Sequence, residues 1–186
     1  MRKPKEAYHL LYKDDWDEAK SVFEDWWNRD LDRPLIEVFA PKNDWEVESD
    51  SWVFLRYYPD VERAIGRLLE QFAKIHFEKE AYPNVWTNIG AGSLSAYLGA
   101  ELKFDGRVNT AWFPGNFSLS QIEDMRLDPK NECWRYTVDC TETPVRRCKD
   151  KAVVSFTDLL DAVTVLGQLR GNYPTNLLKD MFANSK

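Results

Sequence analysis

Residues 151–171 read KAVVSFTDLLDAVTVLGQLRG and carry the clearest change of secondary structure in the chain. KAVVSF is a nearly continuous apolar run, which is typical of a buried strand. The segment after it begins at Thr157, a residue that favours the N-cap of a helix, and reaches Gly171, where a glycine can end one. Between them the apolar residues recur at helical spacing. The stretch therefore predicts a strand followed directly by a helix.

The same alternation runs through the rest of the chain. Earlier predicted elements are, in order, a helix over 16–27, the strand LIEVFA (35–40), a helix over 59–77 and the strand NVWTNIG (84–90). Alternating strands and helices favour parallel strands covered by helices. We therefore predict that LIEVFA, NVWTNIG and AVVSF are parallel neighbours or near neighbours in one sheet. The helices 59–77 and 158–170 are expected to pack outside it.

Chain length sets a limit on this α/β architecture. The chain has 186 residues, of which 44% are apolar, and this is ample for a core. Only three or four strands are predicted, whereas a complete (β/α)8 barrel normally needs about 250 residues. The sequence thus permits either a small open sheet or part of a barrel.

Composition argues against several classes of protein. The net charge is −6, and nucleic-acid binding depends on clustered Lys and Arg. No segment approaches the roughly eighteen apolar residues of a membrane span, and none has the form of a signal peptide. The three cysteines, Cys133, Cys140 and Cys148, match no zinc or disulfide pattern. We therefore predict a cytoplasmic protein with reduced thiols that binds neither nucleic acid nor membranes.

The turn TNIGAGSLSAYLGAE, residues 87–101, raises the question of phosphate binding. Gly90 and Gly92 stand where a helix begins, as in a dinucleotide-binding loop. The third glycine of that fingerprint is replaced by Ser95, and no GK[ST] sequence occurs in the chain. The sequence therefore favours another role for these glycines.

Five stretches, taken together and in order, resemble one known family. They are DRPLIEVFAP, NVWTNIGAGSLSAYLGAEL, TAWFPG, LDPKNECW and VVSFTDLLDAVTVLGQLRGNYPTNLLKDM. They resemble the N-terminal half of the uroporphyrinogen decarboxylase superfamily, which also contains corrinoid-linked methyltransferases. The likeness runs from about residue 15 onward, and LRG with the LLKD that follows, within 169–180, is its most specific part.

The resemblance implies a partial (β/α)8 TIM barrel. Residues 32–186 would form its N-terminal half, with parallel strands and flanking helices, behind an N-terminal helical segment of residues 1–31. Gly90 and Gly92 would then form the tight turn after the second barrel strand, where no phosphate is needed.

The resemblance also implies which chemistry is favoured. Decarboxylases of the family carry arginines after the first strand, where this chain has Lys42 as its only nearby cation. Asn88 stands closest to the family's catalytic aspartate, and an amide cannot ionise. Uroporphyrinogen decarboxylation is therefore disfavoured and the methyltransferase branch is favoured. That branch holds zinc through residues of the second barrel half, so this chain alone is expected to bind no cofactor, and zinc and a corrinoid methyl donor would belong to a full-length relative.

Five residues near predicted strand ends form the candidate site, because barrel chemistry is placed at the carboxyl ends of strands. We predict Asn88 and Asp158 as catalytic residues, and Lys42, Trp86 and Trp112 as substrate-binding residues. Asp158 would accept a proton or fix a partner group. In the alternative interpretation it only stabilises the first turn of a helix.

Two functions remain open at this point. The chain is either half of a methyltransferase, or of a decarboxylase-like lyase, that is active only when the missing half-barrel completes it, or a truncated or split-gene product that acts as a binding or assembly module without catalysis. In both cases unpaired strand edges predict that the isolated chain is not a stable monomer. The expected partner is a second copy or a complementary half-barrel, and a corrinoid protein is a further candidate.

Overall fold

The computed structural model describes residues 9–46 and 50–183. These residues form eight helices and six short strands, a mixed α/β arrangement that does not close into a barrel. The helices are α1 (Trp16–Asn28), α2 (Val53–Arg56), α3 (Val61–Phe72), α4 (Ser93–Tyr97), α5 (Leu119–Glu123), α6 (Glu132–Arg147), α7 (Ala162–Arg170) and α8 (Thr175–Ala183). The strands are β1 (Glu37–Pro41), β2 (Ile75–Lys79), β3 (Asn84–Trp86), β4 (Lys103–Asp105), β5 (Thr110–Trp112) and β6 (Val153–Ser155). The α/β class predicted from the sequence is confirmed.

The chain divides into two compact units. The first contains the described residues up to Asp50 together with Glu62–Val85 and Thr143–Ser155. The second contains Ser51–Val61, Trp86–Glu142 and the described residues from Phe156 onward. Each unit is thus assembled from segments that are distant in sequence. The division after residue 31 stays a prediction.

Strand β1 in the first unit pairs antiparallel with β2. At the two ends of the pair, Lys42 donates its N–H to the carbonyl of Lys74 at 2.8 Å, and Glu80 donates its N–H to the carbonyl of Ile36 at 3.1 Å. Hydrogen-bonded positions alternate along an antiparallel pair, so the even-numbered residues turn their backbone groups toward β2. The nitrogen of Pro41 therefore faces the outer edge, where a strand accommodates a proline.

This pairing corrects the predicted helix over 59–77. Helix α3 ends at Phe72, and residues Ile75–Lys79 form strand β2. Ile75 fits the helical repeat because it lies three residues after Phe72. The residues from Ile75 onward also alternate, with Phe77 buried and both His76 and Glu78 exposed, which is the pattern of a half-buried strand. The alternating pattern, and not the helical one, matches the structure.

A lysine caps the outer edge of β2. The Nζ atom of buried Lys13 donates to the carbonyl of Phe77 at 2.9 Å and to that of Lys79 at 2.6 Å. It also forms an ion pair of 2.8 Å with Asp15. Filling unpaired edge carbonyls in this way hinders the addition of a further strand.

A buried carboxylate fastens the segment before β1 to the residue after β2. Glu80 accepts two hydrogen bonds from the Arg33 guanidinium, at 2.8 and 3.0 Å, and a third from the N–H of Ile36 at 2.8 Å. The hydrogen bonds from Arg33, and then that from Ile36, lower the pKa of Glu80 to about 2. Glu80 therefore stays ionised although almost none of its surface is exposed.

Strands β3 and β6 form a separate two-stranded parallel sheet. The N–H of Val153 donates to the carbonyl of Pro83 at 2.9 Å, and Val85 is fully buried. NVWTNIG and AVVSF are therefore parallel neighbours as predicted. The prediction that LIEVFA shares their sheet is wrong, since β1 pairs with β2 instead.

The core of the second unit brings α4 and α7 together. Its buried residues are Ala96, Ala100, Phe113, Val165 and Leu169. Two glycines allow close backbone contact beside it: a Cβ on Gly115 would lie 2.4 Å from the carbonyl oxygen of Leu169, and one on Gly171 would lie 2.2 Å from that of Gly115. Gly171 also has a φ of +75°, which L-residues rarely adopt.

Helix α7 begins later than predicted. Its N-cap is Asp161, whose carboxylate accepts hydrogen bonds from the N–H groups of Val163 and Thr164 at 2.9 and 3.0 Å. Thr157 is therefore not the cap, and the predicted helix 158–170 covers only Ala162–Arg170. A carboxylate satisfies the free N–H groups of a first turn better than an upstream threonine can, because its two oxygens accept several bonds.

Candidate site at the ends of two parallel strands

The carboxyl ends of β3 and β6 lie at the same edge of their sheet, because the two strands are parallel. Within the first unit, the Ser155 hydroxyl donates to Asn84 Oδ1 at 2.7 Å. Within the second unit, the hydroxyl of Ser93 donates to the backbone carbonyl of Asp158 at 2.7 Å. The segments that follow the two strands are thus joined directly, and this is the region in which the sequence places Asn88 and Asp158.

Asn88 is buried, and both ends of its amide take part in local structure. Its Nδ2 donates to the carbonyl of Ser51 at 2.8 Å, and its Oδ1 accepts the N–H of Gly90 at 2.9 Å. The position requires one donor and one acceptor, which an amide supplies and an ionised aspartate does not. Asn88 therefore shapes the turn after β3.

Asp158 lies in the segment between β6 and α7 and is half-buried. Because α7 starts at Ala162, the alternative interpretation that Asp158 stabilises the first turn of a helix is wrong. That role belongs to Asp161, whose pKa is lowered by its hydrogen bonds to Thr164 and Val163. Among the residues that the structure describes, no hydrogen bond or ion pair engages the carboxylate of Asp158.

The three predicted substrate-binding residues are placed differently. Trp86 ends β3 and is exposed. Trp112 is exposed on β5, where its neighbours Ala111 and Phe113 face Gly90; alternation along a strand turns Trp112 to the opposite side. Lys42 belongs to the first unit, whereas the other four candidates belong to the second.

Packing explains the two glycines of the turn. Gly90 has a φ of +97°, and a Cβ there would lie 2.8 Å from the ring of Phe113. A Cβ on Gly92 would lie 2.2 Å from the same ring and 2.6 Å from Oε1 of Gln168. Both glycines are needed so that the backbone turns tightly against β5 and α7, which agrees with the role predicted for them.

A cluster of buried hydroxyl groups beside this turn was not predicted. Ser95 donates to Oε1 of Gln168 at 2.6 Å, and the Tyr97 phenol donates to the hydroxyl of Thr137 at 3.0 Å. Burial raises the pKa of Tyr97. The hydroxyl of Thr157 is buried and makes no hydrogen bond of standard geometry among the described residues, but it lies near enough to the Tyr97 phenol to lower that pKa, an effect smaller than that of burial. The signal available in the sequence was Ser93-x-Ser95-x-Tyr97, but hydroxyls in a short helix are more often exposed to solvent.

Metal-ligand clusters and membrane-spanning helices are both absent from the described part of the chain. Residues 9–46 and 50–183 contain no group of three His, Cys, Asp or Glu side chains arranged to hold a metal ion. No helix formed by those residues combines the length and apolar character required to cross a bilayer. The three thiols are half-buried or buried, and burial raises the pKa of Cys133 to about 11 and that of Cys140 to about 12. Burial therefore disfavours the thiolate form of these cysteines, which is the nucleophilic form.

In comparisons with known proteins, no family model, no curated protein and no solved structure matches this chain. The resemblance to the uroporphyrinogen decarboxylase superfamily therefore rests on the sequence stretches alone.

Proposed function

We propose that the chain is the N-terminal half of a uroporphyrinogen decarboxylase-like barrel, of the corrinoid-linked methyltransferase type, and that it works only when assembled with a further polypeptide. The observation that carries this proposal is the exposure of apolar side chains on elements that a complete α/β fold covers. The partner is a complementary half-barrel or a second copy of the chain, and zinc and the corrinoid would be held outside this chain.

Strand β1 gives the first support. Val38 and Phe39 point to opposite faces of the strand, yet both are exposed, Phe39 to 58%. Strands with apolar residues on both faces are normally covered on both. Full burial of a Phe or Val side chain stabilises a protein by about 1.5–3 kcal/mol, and Phe39 realises part of this through its edge contact with the ring of Phe77. Covering the exposed remainder of both side chains would therefore add stability.

The segment after β6 and helix α8 give the second support. Phe156, the residue that follows β6, is 78% exposed. On α8, the exposed residues Leu178, Met181 and Phe182 are spaced i, i+3 and i+4, so they form one apolar stripe. The opposite side of α8 is fixed by the ion pair of Arg170 with Asp180. The helix therefore presents an ordered apolar face, which is suited to contact with another chain.

The strand ends give the support for catalysis. Asp158 follows β6, and its carboxylate is not engaged in local structure among the described residues, while Asn88 fixes the turn after β3. In the proposed mechanism Asp158 accepts a proton from the substrate or orients a group of the partner, and Trp86 contacts the substrate. Asn88 acts as a positioning residue, because its amide holds the backbone of the turn.

A second candidate function is assembly without catalysis. It is favoured by one observation, the structural use of the Asn88 amide, which holds the turn through hydrogen bonds with Ser51 and Gly90. In this case the chain contributes only a binding surface. Its partner either performs the catalysis or is itself a structural protein.

The catalytic part is tested by methyl transfer from methylcobalamin to a thiol in the assembled protein. We expect Asp158→Asn to lower the rate at least about tenfold, since it removes the proton acceptor. The control is Asp161→Asn, which alters a carboxylate three residues away that serves as a helix cap. Equal rates for wild type and Asp158→Asn would remove Asp158 from the mechanism.

The assembly part is tested by light scattering of the purified chain at high concentration. We expect a dimer or a larger species, and a monodisperse monomer of 21.8 kDa would contradict the proposal. Association without any methyl transfer would favour the second candidate function.

A further inference from the structure

We draw no further inference here: the strongest candidate, the exposed apolar outer edge of strand β1 in the first unit, is an unpartnered face, and nothing in the structure shows what covers it.

Discussion

Strands β1 and β3 contain similar apolar sequence but lie in different environments. The sequence predicts strands for both LIEVFA and NVWTNIG, yet Val85 of β3 is fully buried, whereas Val38 and Phe39 of β1 are exposed. β3 is followed by a glycine turn that packs on Phe113, and β1 is bounded by a proline whose nitrogen faces an open edge. An apolar run therefore indicates that burial would stabilise a segment, but it does not show whether the same chain or another polypeptide buries it.

The largest expected effect on the free energy of unfolding comes from a pair of variants that place a carboxylate on β3 or on β1. Val85→Asp would bury an unpaired carboxylate, and we expect it to lower the free energy of unfolding by more than about 4 kcal/mol, enough to unfold the chain. Val38→Asp, at an exposed position directly opposite Glu78, should cost less, about 1 kcal/mol in the monomer, because strands disfavour Asp and two carboxylates would face each other. Urea denaturation followed by circular dichroism measures both. Similar losses of unfolding free energy for the two variants would mean that the two strands do not differ in burial.

A pair of glycine variants tests how tightly the turn after β3 is packed. Gly92→Ala would force the ring of Phe113 and Oε1 of Gln168 to move, and we expect it to cost about 1–3 kcal/mol. Gly66 lies within α3, and a Cβ added there would point into open space, so Gly66→Ala should stabilise the helix by up to about 1 kcal/mol. Thermal unfolding of the two variants should shift in opposite directions. A Gly92→Ala protein as stable as wild type would show that the turn is not tightly packed.

The carboxylate that fastens β1 to β2 should make stability depend on pH. The pKa of Glu80 is lowered in the folded state, so its contribution is complete above the pKa of the unfolded chain, near 4.5, and is lost as the pH falls toward about 2. We expect Glu80→Gln to lower the free energy of unfolding at neutral pH by about 1–2 kcal/mol.

The control for this prediction is Glu78→Gln, which alters an exposed carboxylate of the same strand pair. Unfolding curves recorded between neutral and acidic pH should converge for wild type and Glu80→Gln at the acidic end. Parallel curves over the whole range would mean that Glu80 is not held in its charged form by Arg33.

Local sequence patterns predicted part of this structure. The helix predicted over 16–27 is α1, and the short helix and turn around Gly90 and Gly92 follow from residues adjacent in sequence. The wrong predictions of helix boundaries arose where two sequence patterns competed. Ile75 satisfied both a helical and an alternating pattern, and Asp161 rather than Thr157 is the N-cap because a carboxylate was available four residues later.

The candidate site was less accessible to sequence reasoning than the fold. Asn88 and Asp158 were identified from their positions after strands, but the hydrogen bonds that occupy the Asn88 amide depend on Ser51, which is far away in sequence. The buried hydroxyls of Ser95 and Tyr97 likewise find partners on α7 and α6. Such contacts depend on tertiary packing, which periodicity does not specify.

We propose that another polypeptide covers the exposed apolar side chains, and sedimentation velocity of matched variants distinguishes the covered from the uncovered chain. We expect the wild-type chain to sediment as an associated species, and Phe39→Lys or Phe156→Lys to shift it toward the monomer while leaving its circular dichroism spectrum unchanged. Val108→Lys, at an exposed apolar position in the turn between β4 and β5, should sediment like wild type. A wild-type chain that sediments as a monomer at every concentration, indistinguishable from all three variants, would contradict the account.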